Sequence, residues 1–403
     1  MNFKKYRIAD LIDDISMGPF GSNIKVDCFV DSGVPVLNGS NLDGFTLKEE
    51  SFRYVTEEKA DSLKRANAKK GDIVITHRGT LGQIVYIPQN AKYERYVISQ
   101  SQFRIRCNEH VLPEYLVFYF HTRVGQHKIL SNASQVGVPA LARPSTTFQQ
   151  IEVELPDIEV QKKIVSILQS FNDKIELNNK INANLQQQAQ AIFKSWFVDF
   201  EPFQDGEFVE SELGPIPKGW RVGELSEVAT ITMGQSPSGK SYNEEGNGSV
   251  FFQGRAEFGD RFPTRRLYTT EPKRMAEANS VLMSVRAPVG DINVAYEKCC
   301  IGRGLASIQS KFEYSSYMLY QMLSLKRQLD VFNGEGTVFG SINRDTLNAM
   351  KVLIPNEDSI EKFECTVAPM DKLVRANYDE ICRLETARDT LLPKLMNGEI
   401  EVQ

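Results

Sequence analysis

Ten positions, most of them apolar, recur at alternating intervals of four and three residues: Ile164, Leu168, Phe171, Ile175, Asn178, Asn182, Leu185, Ala189, Ile192 and Trp196. The same spacing returns 199 residues later at Phe363, Val367, Met370, Val374, Asn377, Ile381, Leu384, Arg388, Leu391 and Leu395. Alternating 3/4 spacing is the seam of a coiled coil. An amphipathic helix packed on its own domain is the blander reading. More than three heptads in two copies favour the seam. Pro369 falls deep in the second copy, where a proline breaks or starts a helix. The pattern therefore predicts a short helix, a break near 169–170 and 368–369, then a helix of about 28 residues, roughly 42 Å long. Two such helices in one chain pack most simply as an antiparallel pair. Their polar seam positions, Asn178, Asn182, Asn377 and Arg388, would fix register at some cost in stability.

Outside these stretches the apolar runs are short and again occur twice. Tyr6-Arg7-Ile8 corresponds to Trp220-Arg221-Val222, and Met17-Gly18-Pro19 to Met233-Gly234-Gln235. Gly71 to Gly82 resembles Asn279 to Gly290; in both, an apolar run ends in Arg-x-x-x-Gly and a second run comes after it, which reads as strand, turn, strand. Glu152-Val153-Glu154-Leu155-Pro156 matches Lys351-Val352-Leu353-Ile354-Pro355. The offset drifts from 214 to 199, as loop insertions produce. A period of about 200 residues is a duplicated domain, not a solenoid. Between the copies, Pro202, Pro215, Pro217, Gly206, Gly214 and Gly219 forbid a helix and predict an extended connector with aromatic anchors. The expected fold class is α+β, with two tandem duplicated domains (1–155 and 220–355) joined by two long α-helices (in 156–200 and 356–403) packed as an antiparallel coiled coil, and a connector at 201–219.

Composition narrows this little. The 403 residues are 41% hydrophobic and 25% charged, which excludes a mainly disordered chain. No apolar run reaches the roughly 18–20 residues of a membrane helix, and no apolar stretch comes after the first residues, so neither a membrane span nor a signal peptide is expected. Six scattered cysteines without a C-x-x-C pair fit a reducing cytoplasm and disfavour a zinc site. His77, His110, His121 and His127 have no partner pattern and read as structural. The net charge of −5 would argue against a nucleic-acid binder. It is uneven, however: residues 1–155 carry 19 basic and 17 acidic side chains and residues 220–355 carry 16 and 14, while the acidic excess lies in 201–219 and 356–403. Local phosphate-binding surfaces are compatible with this.

Trp196-Phe197-Val198-Asp199-Phe200-Glu201-Pro202, with Ser211-Glu212-Leu213-Gly214-Pro215-Ile216-Pro217-Lys218-Gly219-Trp220 after it, resembles the central region of the specificity subunits of type I restriction–modification enzymes. Gln161-Lys162-Lys163-Ile164-Val165-Ser166-Ile167-Leu168 and Leu391-Leu392-Pro393-Lys394-Leu395-Met396-Asn397-Gly398 resemble its helical signatures, and the likeness spans essentially the whole chain. The second helix copy departs from the first, with Ile360-Glu361-Lys362 in place of Gln161-Lys162-Lys163. The resemblance implies two target-recognition domains, each reading half of a split double-stranded DNA sequence, and helices that hold methyltransferase (modification) subunits. It implies no cofactor in this chain; S-adenosylmethionine and ATP would belong to the methyltransferase subunits and a restriction/translocase subunit.

Several motifs bear on the chemistry. Gly234-Gln235-Ser236-Pro237-Ser238-Gly239-Lys240-Ser241 satisfies the phosphate-loop pattern G-x-x-x-x-G-K-[ST]. Such a loop needs a helix directly after it, but the next residues, Tyr242 to Ser249, are rich in turn formers. A nucleotide-using enzyme built on Gly234–Ser241 is the alternative from another class; a protein-binding scaffold that ignores DNA is a third. The same loop could meet a DNA phosphate, and its place matches the loop bearing Lys25 in the first half. Arg78, with Thr80 beside it, and Arg286 occupy equivalent hairpin turns, and arginine binds guanine and phosphate. Arg265-Arg266 and Lys273-Arg274, with Arg255 and Arg261 nearby, form a basic cluster interleaved with Phe258, Phe262 and Tyr268; an ordinary solvated face is the bland reading. Gln135, in the loop 132–140, and Ser341, in the equivalent loop 333–341, are candidates for base edges, as are Ser99, Gln100 and Arg303. Neither a cofactor loop for methyl transfer nor an interpretable nuclease cluster is present, so no catalytic residue is expected.

Overall fold

The computed structural model describes residues 2–19, 23–131, 133–134, 138–333 and 340–402. The chain divides into two compact units, residues 1–177 with 380–403, and residues 178–379.

In the first unit, strands Ile12–Met17, Gln102–Cys107, Asp72–Thr76 and Ile84–Tyr86 form an antiparallel sheet in that order. A second, mixed sheet runs Phe29–Val30, Arg53–Val55, Val34–Val36, Arg95–Val97, Asn67–Lys69, with one parallel contact between Val36 and Val97. Lys4–Arg7 closes against Glu152–Leu155. The alternating apolar residues Ile73, Ile75, Phe103 and Ile105 enter one core, which helix Pro113–His121 covers; Val74 and Val85 face the core of the mixed sheet.

The second unit repeats this strand for strand. Its antiparallel sheet is Ala229–Met233, Leu305–Ser310, Val281–Ser284, Ile292–Val294. Its mixed sheet is Tyr242–Asn243, Tyr268–Thr269, Ser249–Phe252, Cys299–Ile301, Met275–Ala276, with its parallel contact again between the third and fourth strands. Arg221–Glu224 closes against Lys351–Ile354. The segment expected as an extended connector is more ordered: Phe208–Val209 pairs with Ile216–Pro217, turning at Ser211–Gly214, where Gly214 takes φ 93°. The aromatic anchors are there, with Trp220 against Phe197, Phe200 and Phe203.

The two long helices span Ile158–Phe197 and Glu357–Met396, 40 residues each. Within the first unit the early residues Ile164 and Leu168 share a core with the late residues Leu392, Leu395 and Met396. Within the second, Ala189, Phe193 and Phe197 share one with Phe363, Val367 and Val374. Early turns of one helix meet late turns of the other in both units, so the pair is antiparallel. All twenty seam positions are buried or half-buried. The expected break near 169–170 and 368–369 does not occur. Pro369 and Cys365, the residue whose carbonyl loses its usual i+4 donor, both lie on the exposed face of an uninterrupted helix, while Phe363, Val367 and Val374 stay packed.

Candidate nucleic-acid interface

Four segments meet at one end of the antiparallel sheet in each unit. In the first, the turn after Asp72–Thr76 carries Arg78 and Thr80. Arg78 bridges to Ala140, the Gly79 amide donates to the Pro139 carbonyl at 2.9 Å, and the Leu141 amide to the His77 carbonyl at 2.9 Å. The turn Ser99–Gln102 joins from the other side: the His77 amide donates to the Ser101 carbonyl at 2.8 Å, and His77 Nε2 lies 3.2 Å from the Gln100 carbonyl. Burial holds the His77 imidazole below its ordinary range, the nearby Arg78 charge adds to this, and the Gln100 carbonyl opposes it. The Gly18 amide donates to the Gln102 carbonyl at 2.8 Å, which brings in the loop after Ile12–Met17.

The second unit reproduces the arrangement. Arg286 bridges to Ser341, the Ala287 amide donates to the Gly340 carbonyl at 2.9 Å, and the Ile342 amide to the Val285 carbonyl at 3.1 Å. The Val285 amide donates to the Gly304 carbonyl at 2.9 Å, and the Gly234 amide to the Leu305 carbonyl at 2.9 Å. The Met-Gly pairs read from the sequence now have a reason: a Cβ at Gly18 would stand 1.9 Å from the Ser99 carbonyl oxygen, and one at Gly234 would stand 2.1 Å from that of Gly302. Only glycine allows so close a backbone approach.

Arg78, Thr80, Gln100, Arg286, Arg303 and Ser341 are exposed on these turns, with Ser99 half-buried beside them. Gln135 lies outside the described residues. Other candidates stand apart from this arrangement. Lys25 and Lys240 are exposed on short 3₁₀ turns or beside them. Arg265 pairs with Glu297 at 2.6 Å and stacks over Tyr296, and Arg266 pairs with Glu257 at 3.1 Å and Glu244 at 3.4 Å. Arg255 and Arg261 nearby are also paired, with Asp291 at 2.7 Å and Asp371 at 2.6 Å, whereas the exposed Lys273 and Arg274 of the same cluster form no ion pair among the described residues. Arg286 and Arg303 form no ion pair among the described residues. What sequence reasoning missed is that Gln100 and Arg303 occupy the same structural position; the glycine pairs were the available signal.

A sequence model of the type I restriction modification DNA specificity domain matches residues 3–187 and 217–362. The chain belongs to this family. Among similar specificity subunits is the putative type I restriction enzyme MjaX specificity subunit of Methanocaldococcus jannaschii, 29% identical over 419 residues, covering 100% of this chain and 97% of its own. The type I restriction enzyme HindI specificity subunit of Haemophilus influenzae is 26% identical, covering 82% of this chain and 87% of its own. The crystal structure of a type I restriction–modification system S subunit from M. genitalium shares the fold, with a TM-score of 0.57 at 15% identity, covering 98% of this chain and 96% of the other.

In this specificity-family chain the phosphate-loop match at Gly234–Ser241 is coincidental in form. Gly239–Ser241 is a single 3₁₀ turn leading into the strand Tyr242–Asn243, so no helix N-terminus faces the loop. Ser241 is 7% exposed, and its hydroxyl sits 2.7 Å from the Ser238 carbonyl and 2.8 Å from Thr269 Oγ1. No helix among the described residues is long and apolar enough to cross a membrane.

Proposed function

We propose that this specificity subunit reads a bipartite DNA target, with residues 1–155 reading one half-site and 220–355 the other, and that the helices in 156–200 and 356–403, linked through 201–219, hold the methyltransferase subunits. The supporting observation is the duplicated turn: an exposed arginine, Arg78 or Arg286, stitched to a late loop at the same place in each of two matching domains. Arg78, Thr80, Ser99, Gln100, Arg286, Arg303 and Ser341 would face the bases, and Lys25, Lys240, Arg265 and Arg266 would meet phosphates. Ser241 is satisfied inside the domain and is assigned no contact. The chain would make no bonds itself. S-adenosylmethionine and ATP would reside on the methyltransferase and restriction/translocase partners, in the cytoplasm.

The test is a genome-wide map of methylated adenines in cells expressing the chain with a methyltransferase partner. A two-part motif that disappears on deletion of the chain is expected; a continuous motif, or one indifferent to deletion, rejects the reading. Exchanging residues 220–355 for another recognition domain should alter one half of the motif only. Adding one heptad to both long helices should lengthen the unread spacer.

A further inference from the structure

Two turns that differ in sequence occupy one position in the duplicated domains. The Ser99–Gln102 turn closes with the Gln102 amide donating to the Ser99 carbonyl at 3.1 Å; the Gly302–Leu305 turn closes with the Leu305 amide donating to the Gly302 carbonyl at 3.0 Å. Each accepts from the arginine-bearing turn through its third residue, Ser101 or Gly304, and each packs against its glycine, Gly18 or Gly234, through its first. These contacts fix the register: Gln100 in the first domain is Arg303 in the second. Both side chains are exposed, and neither has a hydrogen bond or ion pair among the described residues. Each is one turn away from the equivalent arginines 78 and 286.

The chemistry at this shared position differs. A glutamine amide pairs bidentately with adenine N6 and N7, and a guanidinium with guanine O6 and N7. Resting on the proposed base-reading role of these turns, we infer that residue 100/303 is a specificity-determining position, that the first domain reads an adenine with Gln100, and that the second reads a guanine with Arg303 at the corresponding place in its half-site. The hydrogen-bond pattern, not the surrounding fold, then sets the base.

The experiment uses the full chain with its methyltransferase partners. Wild type, Gln100→Arg and Arg303→Gln are mapped for methylated motif. Gln100→Arg should change one adenine to guanine in the half-site assigned to residues 1–155, and Arg303→Gln one guanine to adenine in the other, each leaving the opposite half intact. In case either exchange fails to fold, Gln100→Ala and Arg303→Ala complexes are titrated with duplexes carrying 7-deazaadenine or 7-deazaguanine. Removing N7 should weaken wild-type binding about tenfold at the one base each side chain reads, and have no effect at that base in the alanine variant. Unchanged motifs, or changes at several positions of one half, overturn the inference while leaving the bipartite reading intact; a single substitution that alters both halves overturns the inference and the one-domain-per-half reading together. A wild-type chain that directs no motif overturns the reading itself.

Discussion

Asp72 lies wholly buried in the middle of the first antiparallel sheet and holds two arginines. Arg106 reaches it with two bonds of 2.8 and 3.1 Å, and Arg104 stands 3.5 Å away while also pairing with Asp14 at 2.8 Å. Register places Thr230, Ser280, Ser307 and Gln309 at the four corresponding sites of the second domain, so one copy carries an ionic network where the other carries neutral polar groups. Removing one member of a buried pair strands the others and costs about 3–5 kcal/mol. Asp72→Asn should therefore lower protection of the first domain's amides in hydrogen exchange and leave the second domain's unchanged. Gly234→Ala tests the opposite copy. Its methyl would collide with the Gly302 backbone, an overpacking cost of about 1–3 kcal/mol, and the motif half read by residues 220–355 should blur first. Lys240 is a different kind of residue. As a phosphate contact, Lys240→Ala should weaken DNA binding evenly across sequences and reduce the salt slope by about one. None of the Asp72 network was legible in the sequence, because its partners lie 34 and 90 residues apart or on other strands. The equivalence of Arg78 and Arg286 was legible, because it sits in a strand-turn-strand pattern that both copies preserve.

At the scale of elements, the seam read from 3/4 spacing is the seam observed, including its polar positions. Asn178 is 1% exposed, Asn377 Nδ2 donates to Asn182 Oδ1 at 2.8 Å, and Arg388 donates to Asn172 Oδ1 at 3.0 Å. The break at Pro369 was misjudged because local propensity ignores where the proline faces. A proline inside a helix costs about 3 kcal/mol when its neighbours cannot adapt. Here the proline and Cys365 sit on the exposed face and the buried stripe on the opposite face holds the helix in place, so tertiary packing overrides the local preference. The cost is still present. Pro369→Ala should stabilise residues 178–379 by about 1–3 kcal/mol, seen as a higher urea midpoint with an unchanged slope. No change would mean that the backbone has already relaxed fully around the ring. The strands were legible as a repeated order, but the pairing of the Gly302–Leu305 turn with the Ser99–Gln102 turn was not. Nothing in Ser-Gln-Ser-Gln itself resembles Gly-Arg-Gly-Leu; the one sequence signal was indirect, the matching glycines 18 and 234 that pack on the two turns, and the backbone bonds supply the alignment.

Across the whole molecule the duplication is even in strands and uneven in titratable groups. All four histidines fall in the first half of the chain, and two of them, His77 and His121, are held below the ordinary histidine value of 6.5 chiefly by burial. His121 packs against Phe45 with Nε2 at 2.9 Å from the Ile84 carbonyl. A base with a lowered folded value takes up its proton more readily when unfolded, so its stabilising contribution is complete above 6.5 and is lost as pH falls towards the folded value. The second unit holds a group of opposite sign. Glu364 caps helix Ser315–Ser324, accepting from the Ser316 and Tyr317 amides at 3.1 and 2.9 Å, and burial raises its value despite those bonds. Its contribution is complete below the ordinary glutamate value of 4.5 and fades as pH rises through the raised one. Acidification from about pH 7.5 to about 5.5 should therefore weaken residues 1–177 with 380–403 and spare residues 178–379. Hydrogen exchange resolved by unit would show it, and His121→Gln should flatten the response of the first unit alone. Equal acid sensitivity in both units would place its origin outside these histidines.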